Sequence, residues 1–194
     1  MAGINILDKH IPIEFVAGSG ASEDDLDQDA LLSGAEEMAA LINSLDWPPH
    51  YRDAFRGMKK IIFFEGKVTV NGYVMDRPNC DEDDAIFYWE ANEFMKNMDA
   101  DVHANTFFHD CWHVVQFKAA GNQFAYTLTE QLRREVDAIT HQIGVAYMLG
   151  CSAAEIKHLE DFRADQRLIY ARLEEGVERT QLAAHRPGEM QRSG

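Results

Sequence analysis

The sequence predicts an α+β fold, a small β-sheet followed by a mainly helical core, and three observations predict it. Residues 60–75 (KIIFFEGKVTVNGYVM) join an apolar run to an alternating one across turn residues, the signature of short strands. Residues 105–121 and 127–149 are long segments with apolar side chains at helical spacing, each closed by a glycine. Ser152-Ala-Ala-Glu155 is a capping box, which opens a last helix running to about Glu178.

Taken in order, the chain starts with a short β-like piece, Ile11 to Val16, closed by Gly18-Ser19-Gly20. From Ala21 to Asp46 there are acidic side chains and no basic ones. The second half carries Leu31, Leu32, Met38, Leu41, Ile42 and Leu45 at helical spacing, until Trp47-Pro48-Pro49 stops it. Residues 50–59 suit a short helical turn. Residues 60–75 then hold the one clear sheet, with Asn71-Gly72 as a hairpin or bulge. Asp81-Glu82-Asp83-Asp84 lacks the alternating spacing and central glycine of a calcium loop, so it reads as a loop and helix N-cap, followed by a helical or extended piece around Ile86–Trp89.

Composition narrows the partners. A chain of 194 residues with 46% hydrophobic residues suits one domain with a sizeable core. The formal charge of −15 repels both nucleic-acid phosphates and anionic membrane surfaces, so neither is expected as a partner. With no signal-type leader and no apolar run near the ~20 residues of a membrane span, the expected location is cytoplasmic. Cys80, Cys111 and Cys151 are odd in number and scattered, against a disulfide framework; Cys111 reads as a small buried apolar residue.

The chemistry concentrates in NTFFHDCWHVVQF, with Asn105 or Thr106 as the expected helix cap. At 3.6 residues per turn, His109 and His113 lie one turn apart on one helix face, within reach of a single metal ion. The surrounding Phe107, Phe108, Cys111, Trp112, Val114, Val115 and Phe117 make the helix apolar nearly all round, as in a domain centre. In the next helix Leu128, Leu132, Ile139 and Ala146 trace a stripe that also contains Glu135. A carboxylate there is costly unless it meets a cation, which makes Glu135 the natural third ligand. Asp137, about 200° round the helix from Glu135 on the same 3.6-residue turn, neighbours Arg133, Arg134 and His141 on a more hydrated face.

HDCWH followed by REVDA resembles the gluzincin branch of the zincin metallopeptidases, in which HExxH and a downstream glutamate bind zinc. The likeness covers roughly residues 60–150. With the length of the chain it gives the expectation of a single zincin-like domain over residues 1–184, whose residues 21–46 read as an acidic N-terminal helical region, and residues 185–194, without a core-forming pattern, are expected to be a disordered tail. The likeness further implies Zn2+ on His109, His113 and Glu135, Asp110 as the base that takes a proton from water, and a peptide or protein substrate. Two positions depart from the family. Asp110 replaces glutamate and is one methylene shorter, and Ile139 stands where relatives carry an aspartate that orients a ligand histidine. Asp137 and His141 are the candidates to supply that support.

Two other classes fit parts of the pattern. The adjacent His109-Asp110 also resembles the pair of HD metal phosphohydrolases, with His50 and Asp161 as the further ligands. A zincin-like scaffold kept for binding or regulation is the third class. The sequence leaves the oligomeric state open, since the long last helix suits either docking on the core or pairing with a second chain.

Overall fold

The computed structural model describes residues 2–19, 26–70, 73–75, 79–96 and 99–184. The fold is α+β, and the hairpin dipeptide Asn71-Gly72, the acidic residues 21–25 and the tail 185–194 lie outside the described residues. Its first element is a hairpin that the sequence did not announce: β1 (Gly3–Ile6) and β2 (Lys9–Ala17) pair antiparallel. The turn residues Leu7 and Asp8 both take positive φ, 49° and 66°, the backbone of a tight two-residue hairpin normally built with asparagine and glycine. Asn43 holds this turn by accepting from the Leu7 N–H (2.7 Å) and donating to the Asn5 carbonyl (2.8 Å).

Helix α1 (Gln28–Ser44) starts where the Asp27 side chain accepts from Ala30 N and buries Leu31, Met38 and Ile42. Trp47 closes it by donating to the Ile42 carbonyl at 2.7 Å. Helix α2 (Pro49–Gly57) begins on a proline, and Lys9 Nζ donates to the carbonyls of Arg56 and Met58 at its far end, 2.6 Å each. A cation at a helix C-terminus is where the peptide dipoles favour it.

The main sheet is larger than residues 60–75 alone suggest. Strands β3 (Lys60–Glu65), β6 (Asn79–Asp81) and β7 (Ile86–Glu90) join the first hairpin in the order β1-β2-β3-β7-β6. Strands β2, β3 and β7 run parallel, while β1 and β6 are antiparallel edges. The segment KVTVNGYVM instead forms a separate antiparallel pair, β4 (Val68–Val70) with β5 (Tyr73–Met75). Strand β3 reads as an unbroken apolar run because both its faces are covered. Ile61 and Phe63 enter the main core with Phe87 and Trp89, and Ile62 and Phe64 pack with Tyr88 and Val68 on the opposite side. The Asp81–Asp84 stretch is a turn into β7, with Asp81 Oδ1 accepting from Asp84 N at 3.1 Å, and caps no helix.

The remaining elements are helical: α3 (Ala91–Lys96), α4 (Ala100–Ala119), α5 (Leu128–Leu149) and α6 (Ala153–Ala184). Helix α4 begins at Ala100, ahead of Asn105 and Thr106, with Asp99 as N-cap, so neither expected cap residue caps it. Gly121 (φ 71°) turns the chain out of α4, the Thr127 hydroxyl caps α5 on Glu130 N, and Gly150 (φ 79°) ends α5. The Ser152–Glu155 capping box forms in both directions, Ser152 N to Glu155 Oε2 at 2.7 Å and Glu155 N to Ser152 Oγ at 3.2 Å. Beyond its first turns α6 leaves its apolar stripe open, with Phe162 and Ile169 exposed and Ile156 buried. Among the described residues, no helix is long and apolar enough to cross a membrane.

Candidate metal centre

Helices α4 and α5 pack antiparallel across the connection 120–127, as the pairing of Gln116 with Arg134 at one end and of Asn105 with Gln142 at the other shows. Ala138, fully buried between Glu135 and Gln142 on α5, keeps the contact tight. Three side chains converge between the helices. His109 Nε2 and His113 Nε2 stand 3.0 Å apart, and the Glu135 carboxylate reaches them at 3.4 and 3.3 Å. The structure thus brings together all three residues expected as metal ligands.

The tautomers follow from the neighbours. Gln116 Nε2 lies 2.9 Å from the Arg134 carbonyl and 2.8 Å from Asp137 Oδ2, two groups that only accept, so the amide nitrogen must face them. Gln116 Oε1 is thereby turned to His113 Nδ1 at 2.9 Å, which must donate. Gln142 does the same for His109, accepting from Nδ1 at 3.0 Å while its nitrogen faces the Asn105 carbonyl at 3.4 Å. Both imidazoles therefore carry a proton on Nδ1 and turn Nε2 toward the other histidine and Glu135.

Two bare Nε2 lone pairs and a carboxylate, all within 3.4 Å, repel one another unless a cation sits among them. In the metal-free chain a proton takes that place. Burial opposes charge on His113, but the hydrogen bond and charge of Glu135, with Asp110 and Glu82, overcome it and raise the imidazolium to about 9. Burial likewise pushes Glu135 up, and the two histidines reverse this and hold it well below the usual carboxylate range. The dimensions suit a metal too. Three N/O ligands at ~2.0–2.1 Å from a tetrahedral cation stand ~3.3 Å apart, against the observed 3.0 to 3.4 Å.

Asp110 lies beside the triad on α4, partly buried, and its carboxylate has no hydrogen-bond partner among the described residues. Burial raises its pKa, the neighbouring histidines pull against this, and Glu135 adds to it. Its backbone carbonyl meets Cys80 Sγ at 3.7 Å, which places the edge strand β6 against this part of α4. Glu82, just past β6, is also pushed up by burial, opposed by His113 and Arg134.

The expected supporting pair divides. Asp137 faces α4 rather than Arg133 and Arg134: its Oδ2 accepts from Trp112 Nε1 and from Gln116 Nε2, each at 2.8 Å, and so braces His113 through Gln116. The two arginines pair instead with Glu130, whose carboxyl they hold at about 2. His141 touches neither ligand histidine. It stacks on Trp112, lies 3.7 Å from Asp137 and meets the Tyr51 hydroxyl at 3.3 Å. Gln116 and Gln142, which contact the ligands directly, were not singled out from the sequence. The available signal was their helical spacing, Gln116 three residues after His113 and Gln142 seven after Glu135.

The ligands of the phosphohydrolase pattern do not assemble. His50 packs among Tyr51, Trp112 and His141, and Asp161 pairs with Lys157 on the exposed side of α6. His103, also on α4, is an ordinary core histidine, stacked on Phe94 with its Nε2 3.0 Å from the Phe94 carbonyl. Cys111 is fully buried, as expected of a small apolar residue, and the three cysteines are free thiols. Compared with protein families, curated proteins and solved structures, the chain finds no match.

Proposed function

We propose that the chain is a zinc-dependent hydrolase of peptidase type, with His109, His113 and Glu135 as ligands and Asp110 as the general base. The observation that carries this reading is the convergence of a carboxylate on two imidazoles whose tautomers are fixed from behind, an arrangement that calls for a cation. Three protein ligands with a fourth position left for solvent or substrate is the pattern of catalytic rather than structural zinc. Bound there, zinc would lower the pKa of water toward ~7 and polarise a carbonyl. Gln142 and Gln116 keep the Nε2 lone pairs of His109 and His113 directed inward, and Glu135 offsets the charge of the cation. Asp110 receives the proton during attack on the carbonyl. Strand β6 ends the sheet order beside α4, and an extended peptide substrate would add to such an edge as a further strand.

The short reach of Asp110 favours a second reading, a zincin-like binding protein that keeps the metal without turnover. The loss of one methylene is a misplacement of the order of 1 Å, enough to cost ~100-fold in rate. Hydrolysis of a mixed library of quenched fluorescent peptides separates the two. For a peptidase, Asp110→Asn keeps its zinc and loses ~100-fold or more of the parent rate. An inactive parent whose Asp110→Glu variant hydrolyses the library is the binding protein. Metal-free parent that gains no zinc from solution contradicts both.

A further inference from the structure

Behind His109, a cavity of about 640 Å³ opens between α4, α5 and the start of α6, lined among others by Asn105, His109, Gln142, Cys151, Glu155 and His158. At this end of the molecule lies a second group of metal-ligating side chains. Asp101, Cys151 and Glu155 each place a ligand atom within 4.8 Å of the other two. Asp101 belongs to the first turn of α4, and the left-handed Gly150 turns the chain so that Cys151 points inward, 7% exposed. Glu155 is in the first turn of α6, where one carboxylate oxygen, Oε2, serves the cap on Ser152 N. The Cys151 thiol meets the Asp101 carbonyl at 3.9 Å and also has the Asp101 side chain as a partner.

Helix capping explains Glu155 but not why a buried thiol and a second carboxylate meet it. An independent observation points to a missing partner. Asn105, one helical turn after Asp101 and lining the same cavity, is 6% exposed, and its Oδ1 is buried with no hydrogen-bond partner. Buried carbonyl oxygens are almost always satisfied, so an orphaned one on a residue that lines the cavity with Cys151 and Glu155, one helical turn from Asp101, points to a partner in this part of the molecule.

We propose that Asp101, Cys151 and Glu155 form a second metal site, for a thiophilic divalent cation of the zinc class, one helical turn from the orphaned Asn105 Oδ1. Sulfur among the ligands selects against magnesium and calcium. Without metal the thiol keeps its proton, since burial and then the charges of Asp101 and Glu155 push Cys151 up to about 12; binding displaces that proton. The bound ion ties the first turn of α4 to the α5–α6 corner, steadying from its far end the helix that carries His109. This site does not depend on the His109–His113–Glu135 reading.

Cobalt(II) tests it, because only this site offers sulfur where the first offers nitrogen and oxygen. The full-length chain, stripped with chelator, is titrated with cobalt while the near-ultraviolet thiolate-to-cobalt charge-transfer band is followed. The band is expected in the parent and in Glu135→Ala, and is expected to vanish in Cys151→Ser with the loss of one cobalt per chain. Glu155→Gln, which keeps an oxygen for the Ser152 cap, is expected to bind cobalt at this site at least ~10-fold more weakly. A parent without the band overturns the proposal, as does a band that survives Cys151→Ser or a Glu155→Gln affinity equal to the parent's. Failure of the first site alone leaves a distinct result: one cobalt per chain, a thiolate band, and no effect of Glu135→Ala.

Discussion

Gln116 is the residue on which the orientation of His113 depends. Its amide cannot flip without setting its nitrogen against the Nδ1–H of His113 and its oxygen against the Arg134 carbonyl and Asp137. Gln116→Ala is therefore expected to weaken zinc binding ~10–100-fold, read by competition with a chromophoric chelator, with the helical circular dichroism unchanged; an unchanged affinity would show that His113 is held by packing alone. The meeting of His109, His113 and Glu135 was legible in the sequence, because two histidines four apart and a carboxylate on an apolar stripe are each unusual enough to demand a partner. Gln116 and Gln142 were not, because a glutamine on an amphipathic helix is ordinary until the facing helix is known. Asp137 was legible as a supporter but not by what route, since its link to His113 runs through a side chain of α4. His141 does lie beside Asp137, as its spacing suggests, but its ring is held by Trp112 and Tyr51, partners that no spacing on its own helix records.

At the scale of elements, helices were easier to read than strands. Thr127, Gly150 and the Ser152–Glu155 box mark helix ends by local chemistry, and the helices end where these residues stand. Strand β1 escaped because its turn is Leu7-Asp8, whose positive φ angles are supported by Asn43 from a distant helix rather than by a local glycine. Strand order escaped as well: β3 pairs with β7 across a long intervening stretch, and no local pattern records such a partner. The contact of α1 with α3 depends on Gly34, where an added Cβ would meet the Phe94 ring at 2.7 Å. Phe94 is fully buried against Phe63, Trp89 and His103 and has little room to move. Gly34→Ala is accordingly expected to destabilise the fold by ~1–2 kcal/mol, the cost of overpacking outweighing the better helix propensity of alanine. Urea denaturation checks this, and a stabilised variant would mean that α1 can slide outward freely.

In the whole molecule, the α4–α5 pair stands between the sheet and α6, and His109, His113 and Glu135 meet at its interface. Helix α4 packs on α1 and α2 on one side and on α5 on the other, so its histidines are carried by the most enclosed helix of the core. Such a support fits a site whose ligands must keep their positions before the cation arrives. The strong negative charge of the chain adds a favourable long-range field for cations and an unfavourable one for phosphate polymers. The central claim is that His109, His113 and Glu135 hold a zinc ion, and zinc content per chain tests it most directly. Parent and Glu135→Ala are purified without chelator, equilibrated with the same zinc buffer and assayed by atomic emission; the account predicts one zinc fewer per chain in Glu135→Ala, and equal content in the two proteins would contradict it.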